Sequence, residues 1–262
     1  RKIIQVDYQF SISPFIAFRP ELSNSNLGRA TTLALLKRLK KNDLVKEFHA
    51  KMTEGMQLGH STYMTPEKRA ELDCLPRYYC SLNYVHKNST LTKKIRPTSN
   101  FSAPHKSGSF NLLAINGPNI LNSSKRVLLK FFNFAFAITT DISTAYRSLK
   151  ISPLSQSLSR FFWFKDPNDL DSLEECVWLC ATYGSGPTGI CLEIGLREHV
   201  APSTDNLEVK EMINDSRFVD DLADSNKDKD KLIKNIIEYI SICKKFGFIH
   251  GDVSMSFNHF EG

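Results

Sequence analysis

Arg217-Phe218-Val219-Asp220-Asp221-Leu222 is the stretch on which the fold turns: two adjacent carboxylates set between apolar residues. An Asp-Asp pair alone is more often a helix cap or a solvated turn than a metal site. Apolar neighbours on both sides instead suggest a hairpin whose strands enter a core. A second acid is approached in the same way upstream, where Phe134 to Thr140 is apolar and β-prone and runs into Asp141, as a buried central strand would. Asp141-Ile142-Ser143-Thr144-Ala145-Tyr146 then turns toward a short helix. A strand end and a hairpin turn in one sheet can bring three carboxylates together, and such a cluster is costly unless divalent cations neutralise it. Mg²⁺ suits such a site because it takes hard oxygen ligands and is held by one or two carboxylates plus phosphates. Two ions about 4 Å apart can activate an attacking hydroxyl and stabilise a leaving pyrophosphate.

Charge is distributed to match. Between Asp73 and Asp141 there is no Asp or Glu, while Arg77, Lys87, Lys93, Lys94, Arg96, Lys106, Lys125, Arg126 and Lys130 fall in that interval. A basic stretch of this kind suits an anionic partner, nucleic acid or nucleotide phosphate, although a solvated basic face has the same composition. Acids are frequent on both sides of it, so the chain opposes a basic surface to an acidic centre. The 262 residues suffice for one large domain or two subdomains, and 41% hydrophobic with 24% charged content is that of a soluble globular protein. No apolar run approaches the roughly 20 residues of a membrane span, and Arg1 to Phe15 lacks a signal-peptide core. The chain begins at Arg1 rather than Met and is expected to be a piece of something longer. The six cysteines form no C-x-x-C pair and no zinc-finger pattern with the histidines, so buried free thiols are expected.

Working outward, residues 27 to 59 predict two helices, with Leu35 and Leu39 inward in the first and Leu44, Phe48, Met52 and Met56 in the second. Asn42-Asp43 supplies the start signal between them and Gly59 the stop. Pro76 to Pro118 predicts strands and loops, including a mobile Ser107-Gly108-Ser109 stretch, and a helix follows with Leu121, Val127, Leu128 and Phe131 inward. Strands over Ser159 to Phe164 and Glu175 to Tyr183 are joined by the turn Asp166-Pro167-Asn168-Asp169. Tyr183-Gly184-Ser185-Gly186-Pro187 leads into a helix through Leu192 and Leu196. After a polar loop at 201 to 206 comes the Asp-Asp stretch. A last helix from Lys229 to Phe246 shows Ile233, Ile236, Ile237, Ile240 and Cys243 on one face and is stopped by Gly247.

Phe218-Val219-Asp220-Asp221 resembles the aromatic-x-Asp-Asp box of reverse transcriptases, and Asp141 to Tyr146 resembles their first catalytic-aspartate motif. The resemblance is closest to the Bel/Pao group of LTR retrotransposons and covers nearly the whole chain. Its further carriers are Leu27-Gly28-Arg29, Leu58-Gly59-His60, the basic strand Ser89 to Arg96, Gly117-Pro118-Asn119, Tyr183 to Gly186, Gly195 to Glu198 and Phe246-Gly247-Phe248. It implies an α+β right-hand polymerase fold, its palm a small antiparallel sheet backed by helices. Fingers would be drawn from 1 to 116 and 149 to 187, and palm from 117 to 148 and 188 to 262. Past Gly251 the family pattern fades, with no complete thumb, ribonuclease H or integrase.

The activity implied is RNA-directed DNA synthesis, adding deoxynucleotides to a primer 3′-hydroxyl. Asp141 and Asp220 would be the main ligands of two Mg²⁺ ions (or Mn²⁺), with Asp221 assisting. Arg96 and Lys94 would clamp the nucleotide's phosphates, main-chain donors of Ile142, Ser143, Thr144 and Ala145 would contact the triphosphate, and Tyr146 would lie under the incoming sugar. Tyr183 and Gly184 would border the nascent base pair. Partners implied are an RNA or DNA template with primer, deoxynucleoside triphosphates and a homo- or heterodimer within a polyprotein, with no membrane. The setting implied is intracellular, a cytoplasmic virus-like particle or the nucleus. Three places depart from the pattern, one being the second glycine expected before Phe248, where Lys245 or Phe246 stands. Pro97-Thr98-Ser99-Asn100 weakens the strand after Arg96, and Asn214-Asp215-Ser216-Arg217 stands where an apolar strand is expected before the turn. The alternative is a catalytically inactive remnant or domesticated fragment that binds nucleic acid or a protein.

Overall fold

The alternation of short β-prone runs with amphipathic helices yields small antiparallel sheets backed by helices, an α+β fold, in a computed structural model that describes residues 4–6, 9–10, 23–88, 93–105 and 108–257. The expectations for the first residues and for Ser107, and the 89–92 part of the basic strand, lie outside the described residues. The chain divides into two units, each assembled from separate segments. One comprises Arg1–Val6, Gly117–Leu149 and Gly189–Gly262; the other comprises Asp7–Asn116 and Lys150–Thr188.

The first unit is built on the strand Phe136–Ser143, where Ala137, Ile138 and Ile142 are fully buried. It pairs antiparallel with Asp221–Asn226, which pairs in turn with Arg217–Phe218. Its other edge takes Ile249–His250 and then Ser254–Phe257. The helix Lys229–Lys245 contacts these strands, and its first N–H groups are capped by Asp228, whose side chain accepts from the Lys231 amide at 3.1 Å. It ends as its Gly247 predicts: Phe248 N–H donates to Cys243 O, Gly247 N–H donates to Lys244 O, and Gly247 has φ 89°. That is the paired-bond glycine cap in which the left-handed residue satisfies the last carbonyls.

The buried stripe of this helix is Leu232, Ile236, Tyr239 and Cys243, while Ile237 is 62% exposed. The isoleucine-based face is therefore rotated, because Leu232 and Tyr239 carry the contact. The helix after Pro118 also needs correction. It spans only Ser124–Phe131, buries Val127, and leaves Leu128 and Leu129 in solvent, because two turns against the Asp221 strand bury one side only. Leu207–Asp215 is an unpredicted helix that buries Val209, Met212 and Ile213, with the Asn206 side chain accepting from the Glu208 and Val209 amides.

In the second unit the helices Ser25–Lys41 and Val45–Gln57 bury Leu35, Leu39, Phe48 and Met52. Asn42 and Asp43 do not cap the second helix through their side chains; Asp43 instead makes the turn with φ 52°. The hairpin Arg160–Phe164 with Leu173–Trp178 is flanked by Ser61–Tyr63. Its second strand begins and ends earlier than expected because the 166–169 turn sets Leu173 opposite Phe164. A two-stranded ribbon pairs Ser81–Asn88 with Lys93–Asn100 without a break, Pro97 lying opposite Tyr84. The proline is tolerated because a two-stranded ribbon leaves outward-facing positions where no N–H is required. Among the described residues no disulfide forms; Cys80, Cys176, Cys180 and Cys243 are buried, but Cys74 is exposed. Arg160, with no exposed surface, ion-pairs with Asp73 and Glu175 at 2.9 Å each. No helix of the described residues is long and apolar enough to cross a membrane.

Candidate active site

Phe218 pairs with Asp221, so Val219 and Asp220 form a two-residue loop at the tip of the Asp-Asp hairpin. Val219 has φ 59° whereas Asp220 does not have positive φ. Positive φ at the first loop position alone is the type II′ pattern, which glycine ordinarily fills, and a β-branched residue there is strained by about 1–3 kcal/mol. Of the apolar flanks only Leu222 enters the core; Phe218 is 42% exposed.

What restrains this turn is the polar lead-in. Arg217 is fully buried. Its Nη1 donates to Val219 O at 2.8 Å, its Nε to Ile213 O at 2.7 Å, and its Nη2 to Glu193 Oε2 at 2.8 Å. Glu193, 1% exposed, accepts from Arg197 Nε through its other oxygen. Arg197 sits on a π-helical turn, Leu196–Val200, following the helix Thr188–Gly195, and also donates to Asn122 Oδ1 and Asn214 O. Asn122 Nδ2 closes the network on Asn214 O and Arg217 O. The strand before the turn is only two residues long, but its polar residues are interior parts rather than an interruption of the fold.

Asp141 lies directly opposite Asp221 in the sheet register, two residues before its strand ends rather than at the end itself. Cross-strand partners project from the same face of a sheet. Burial, then the charges of Asp220 and Asp141, raise the Asp221 carboxyl above its usual range. Among the described residues none of the three carboxylates has an ion-pair partner. His250, opposite Ile142, brings no charge near neutrality, since burial pushes its imidazole down to about 4. This uncompensated set of hard oxygen donors fits divalent cations in its chemistry. No group of three His, Cys, Asp or Glu among the described residues is placed to hold one ion.

Ile142 is a correction to the expected triphosphate donors, because its N–H is already given to Asp220 O at 2.9 Å. Thr144 has φ 54° and begins the 3-10 turn Ala145–Ser148, in which Ala145 is buried and Tyr146 half-buried. Ser143 is half-buried and Thr144 exposed.

The remaining expected nucleotide residues belong to the second unit. Arg96 is exposed opposite Val85, and the Lys94 backbone is opposite Lys87. Tyr183 is 41% exposed. Gly184 has φ 98°, and a Cβ on it would lie 2.0 Å from Ser99 O, so both conformation and space demand glycine. Sequence reading missed Asn111, whose Nδ2 donates to Gly184 O at 2.9 Å and whose Oδ1 accepts from the Gly186 amide at 2.8 Å. A single side-chain amide, which also donates to Ser102 Oγ at 2.7 Å, thus holds the Tyr183–Gly186 loop, and no local pattern marks an asparagine whose partners in that loop are more than 70 residues away.

The fold is similar to that of reverse transcriptase structures. Prototype foamy virus protease-reverse transcriptase (the CSH mutant) aligns at TM-score 0.54 and 15% identity over 76% of this chain and 22% of its own. Foamy viral protease-reverse transcriptase dRH, in complex with double-stranded DNA, aligns at TM-score 0.52 and 16% identity over 75% of this chain and 28% of its own. The chain thus spans about a quarter of the length of these structures. No family model and no curated protein matches it.

Proposed function

We propose that this chain is the fingers-and-palm region of an RNA-directed DNA polymerase from an LTR retroelement of the Bel/Pao type. The observation that carries the reading is the pairing of Asp141 with Asp221 beside the Asp220 turn, in a fold similar to that of reverse transcriptases. The unit containing Gly117–Leu149 and Gly189–Gly262 is the palm, and the unit containing Asp7–Asn116 and Lys150–Thr188 is the fingers. Asp141 and Asp220, assisted by Asp221, hold two Mg²⁺ ions, with Mn²⁺ as a substitute. The bound ions supply activation of the primer 3′-hydroxyl and neutralise charge on the departing pyrophosphate.

The chain's own residues position the reactants. Ser143, Thr144 and Ala145 present main-chain N–H groups to the triphosphate, and Arg96 and Lys94 pair with its phosphates, the guanidinium as a planar donor fork. Tyr146 lies under the sugar, where a ring excludes a 2′-hydroxyl. Tyr183 and Gly184 border the new base pair on the loop that Asn111 fixes. The partners are a template with its primer and deoxynucleoside triphosphates.

Primer extension on a homopolymer template with Mg²⁺ tests the reading. Wild-type chain is expected to incorporate deoxynucleotide, and Asp141→Asn and Asp220→Asn to lose it by at least 10²-fold. Incorporation that persists in Asp141→Asn sinks the site assignment. A second reading is the same fold binding nucleic acid without turnover. It predicts no incorporation, with template affinity unchanged or higher in Asp220→Asn.

A further inference from the structure

The far edge of the Asp141 strand carries an irregularity whose consequence falls on the carboxylate itself. His250 pairs with Ile142 and Ser254 with Thr139, so residues 251–253 face only 140 and 141. One extra residue on one strand is a β-bulge, a feature that bends a strand and re-aims its groups. At the bulge Gly251 N–H donates to Asp141 O at 3.0 Å, which pins the Gly251 backbone against Asp141. A Cβ built on Gly251 would stand 2.2 Å from Asp141 Oδ1 and 3.2 Å from its Cγ.

Gly251 is not among the residues of positive φ, unlike Gly184 or Gly247. Its backbone therefore has no need of glycine, and alanine is conformationally acceptable there. What would be lost is space, and the atom occupying that space is a carboxylate oxygen of Asp141. The other neighbour within reach, Ser143 Oγ at 3.5 Å, is at an ordinary contact distance.

We propose that Gly251 is a positioning residue for the polymerase reaction: its missing side chain is the notch that holds the Asp141 carboxylate. This rests on Asp141 being a metal ligand, as proposed above. With the bulge backbone fixed by its hydrogen bond, a methyl group at 251 is relieved most cheaply by swinging the carboxylate away. The required displacement is about 1.2 Å, the difference between 2.2 Å and the 3.4 Å at which ordinary contact begins. A misplacement of about 1 Å at a reacting centre costs on the order of 10²-fold in rate. Folding stability should hardly register the change.

The test compares wild-type chain, Gly251→Ala and Gly55→Ala, the last a control at a helical glycine with nothing within 4 Å of its would-be Cβ. Crystal structures, melting temperatures and Mg²⁺-dependent primer extension are measured for each. For Gly251→Ala the expected result is an unchanged melting temperature, an Asp141 carboxylate shifted by about 1 Å, and a kcat reduced about 100-fold with KM for deoxynucleotide little altered. Two outcomes overturn the proposal. One is an Asp141 carboxylate left in place because the 249–257 edge moves instead; the other is a large fall in melting temperature, which would make Gly251 a backbone residue. If wild-type chain extends no primer, the polymerase reading fails, while the crystallographic displacement still decides whether Gly251 sets the carboxylate.

Discussion

Glu193→Gln strikes the Asp-Asp turn without touching it. Glu193 is 1% exposed and shares its two oxygens between Arg217, with no exposed surface, and Arg197. The amide keeps the shape but leaves the buried Arg217 guanidinium without its counter-charge. Removing one partner of a buried pair costs about 3–5 kcal/mol, because the remaining charge stays desolvated. Arg217 retains its bonds to Ile213 O and Val219 O, which places the expected loss at the lower end, about 3 kcal/mol. The paired variant Glu193→Met with Arg217→Met removes both charges and should lose less than the sum of the single changes by at least about 1 kcal/mol. Urea denaturation of wild-type, Glu193→Met, Arg217→Met and the paired variant measures this coupling, and that of Glu193→Gln measures the loss above. Amide hydrogen exchange measures the second consequence. The Ile142 N–H bonds to Asp220 O, so releasing the Val219 carbonyl from Arg217 should speed exchange at Ile142 in the paired variant even where global stability is retained. Additive losses within about 0.5 kcal/mol, together with unchanged Ile142 exchange, would refute the claim that the ion cluster holds the turn.

Gly184→Ala must adopt φ 98° and meet Ser99 O, so the second unit should lose more than about 2 kcal/mol in thermal or urea unfolding; a loss below about 0.5 kcal/mol would contradict the close approach. Glu175 gives a pH dependence: burial alone would raise its carboxyl, but hydrogen bonds and charge from Arg160, with Tyr79 and Arg69, bring it below its ordinary 4.5. A depressed folded value means stabilisation present above about 4.5 and lost as pH falls through the folded value, so the stability gap between wild-type and Glu175→Gln should narrow on acidification. A gap that stays constant or widens below pH 4.5 contradicts it.

The parts legible in the sequence are those in which a residue's role is set by its neighbours along the chain. The Phe134 to Thr140 run needed only its own hydrophobicity to read as a central strand, and Gly247 only its place after a periodic helix to read as a cap. Where burial depends on which neighbour arrives, the reading failed. Leu128 and Val127 are equally apolar, yet two turns of helix expose one and bury the other. The 207–215 helix was missed because its signals, an Asn206 cap and a three-residue apolar face, are short and follow directly on a polar loop.

The Asn214 to Arg217 stretch shows why residue type alone misjudges a site. Read locally, an arginine before an Asp-Asp turn interrupts an apolar strand and suggests that the turn has lost its support. Arg217 in fact meets Glu193, 24 positions away, and the remainder of the network comes from Arg197 and Asn122. An apolar strand would hold the turn by burying side chains on either side of it. Arg217 instead reaches past its own strand to the carbonyl of Val219, the residue whose φ is strained. A hydrophobic residue cannot make that bond, and a lone arginine could not be buried to make it. The polar lead-in and the buried glutamate are therefore one device. Its cost in desolvation is offset by restraint applied where the backbone is least favourable, next to Asp220 and Asp221.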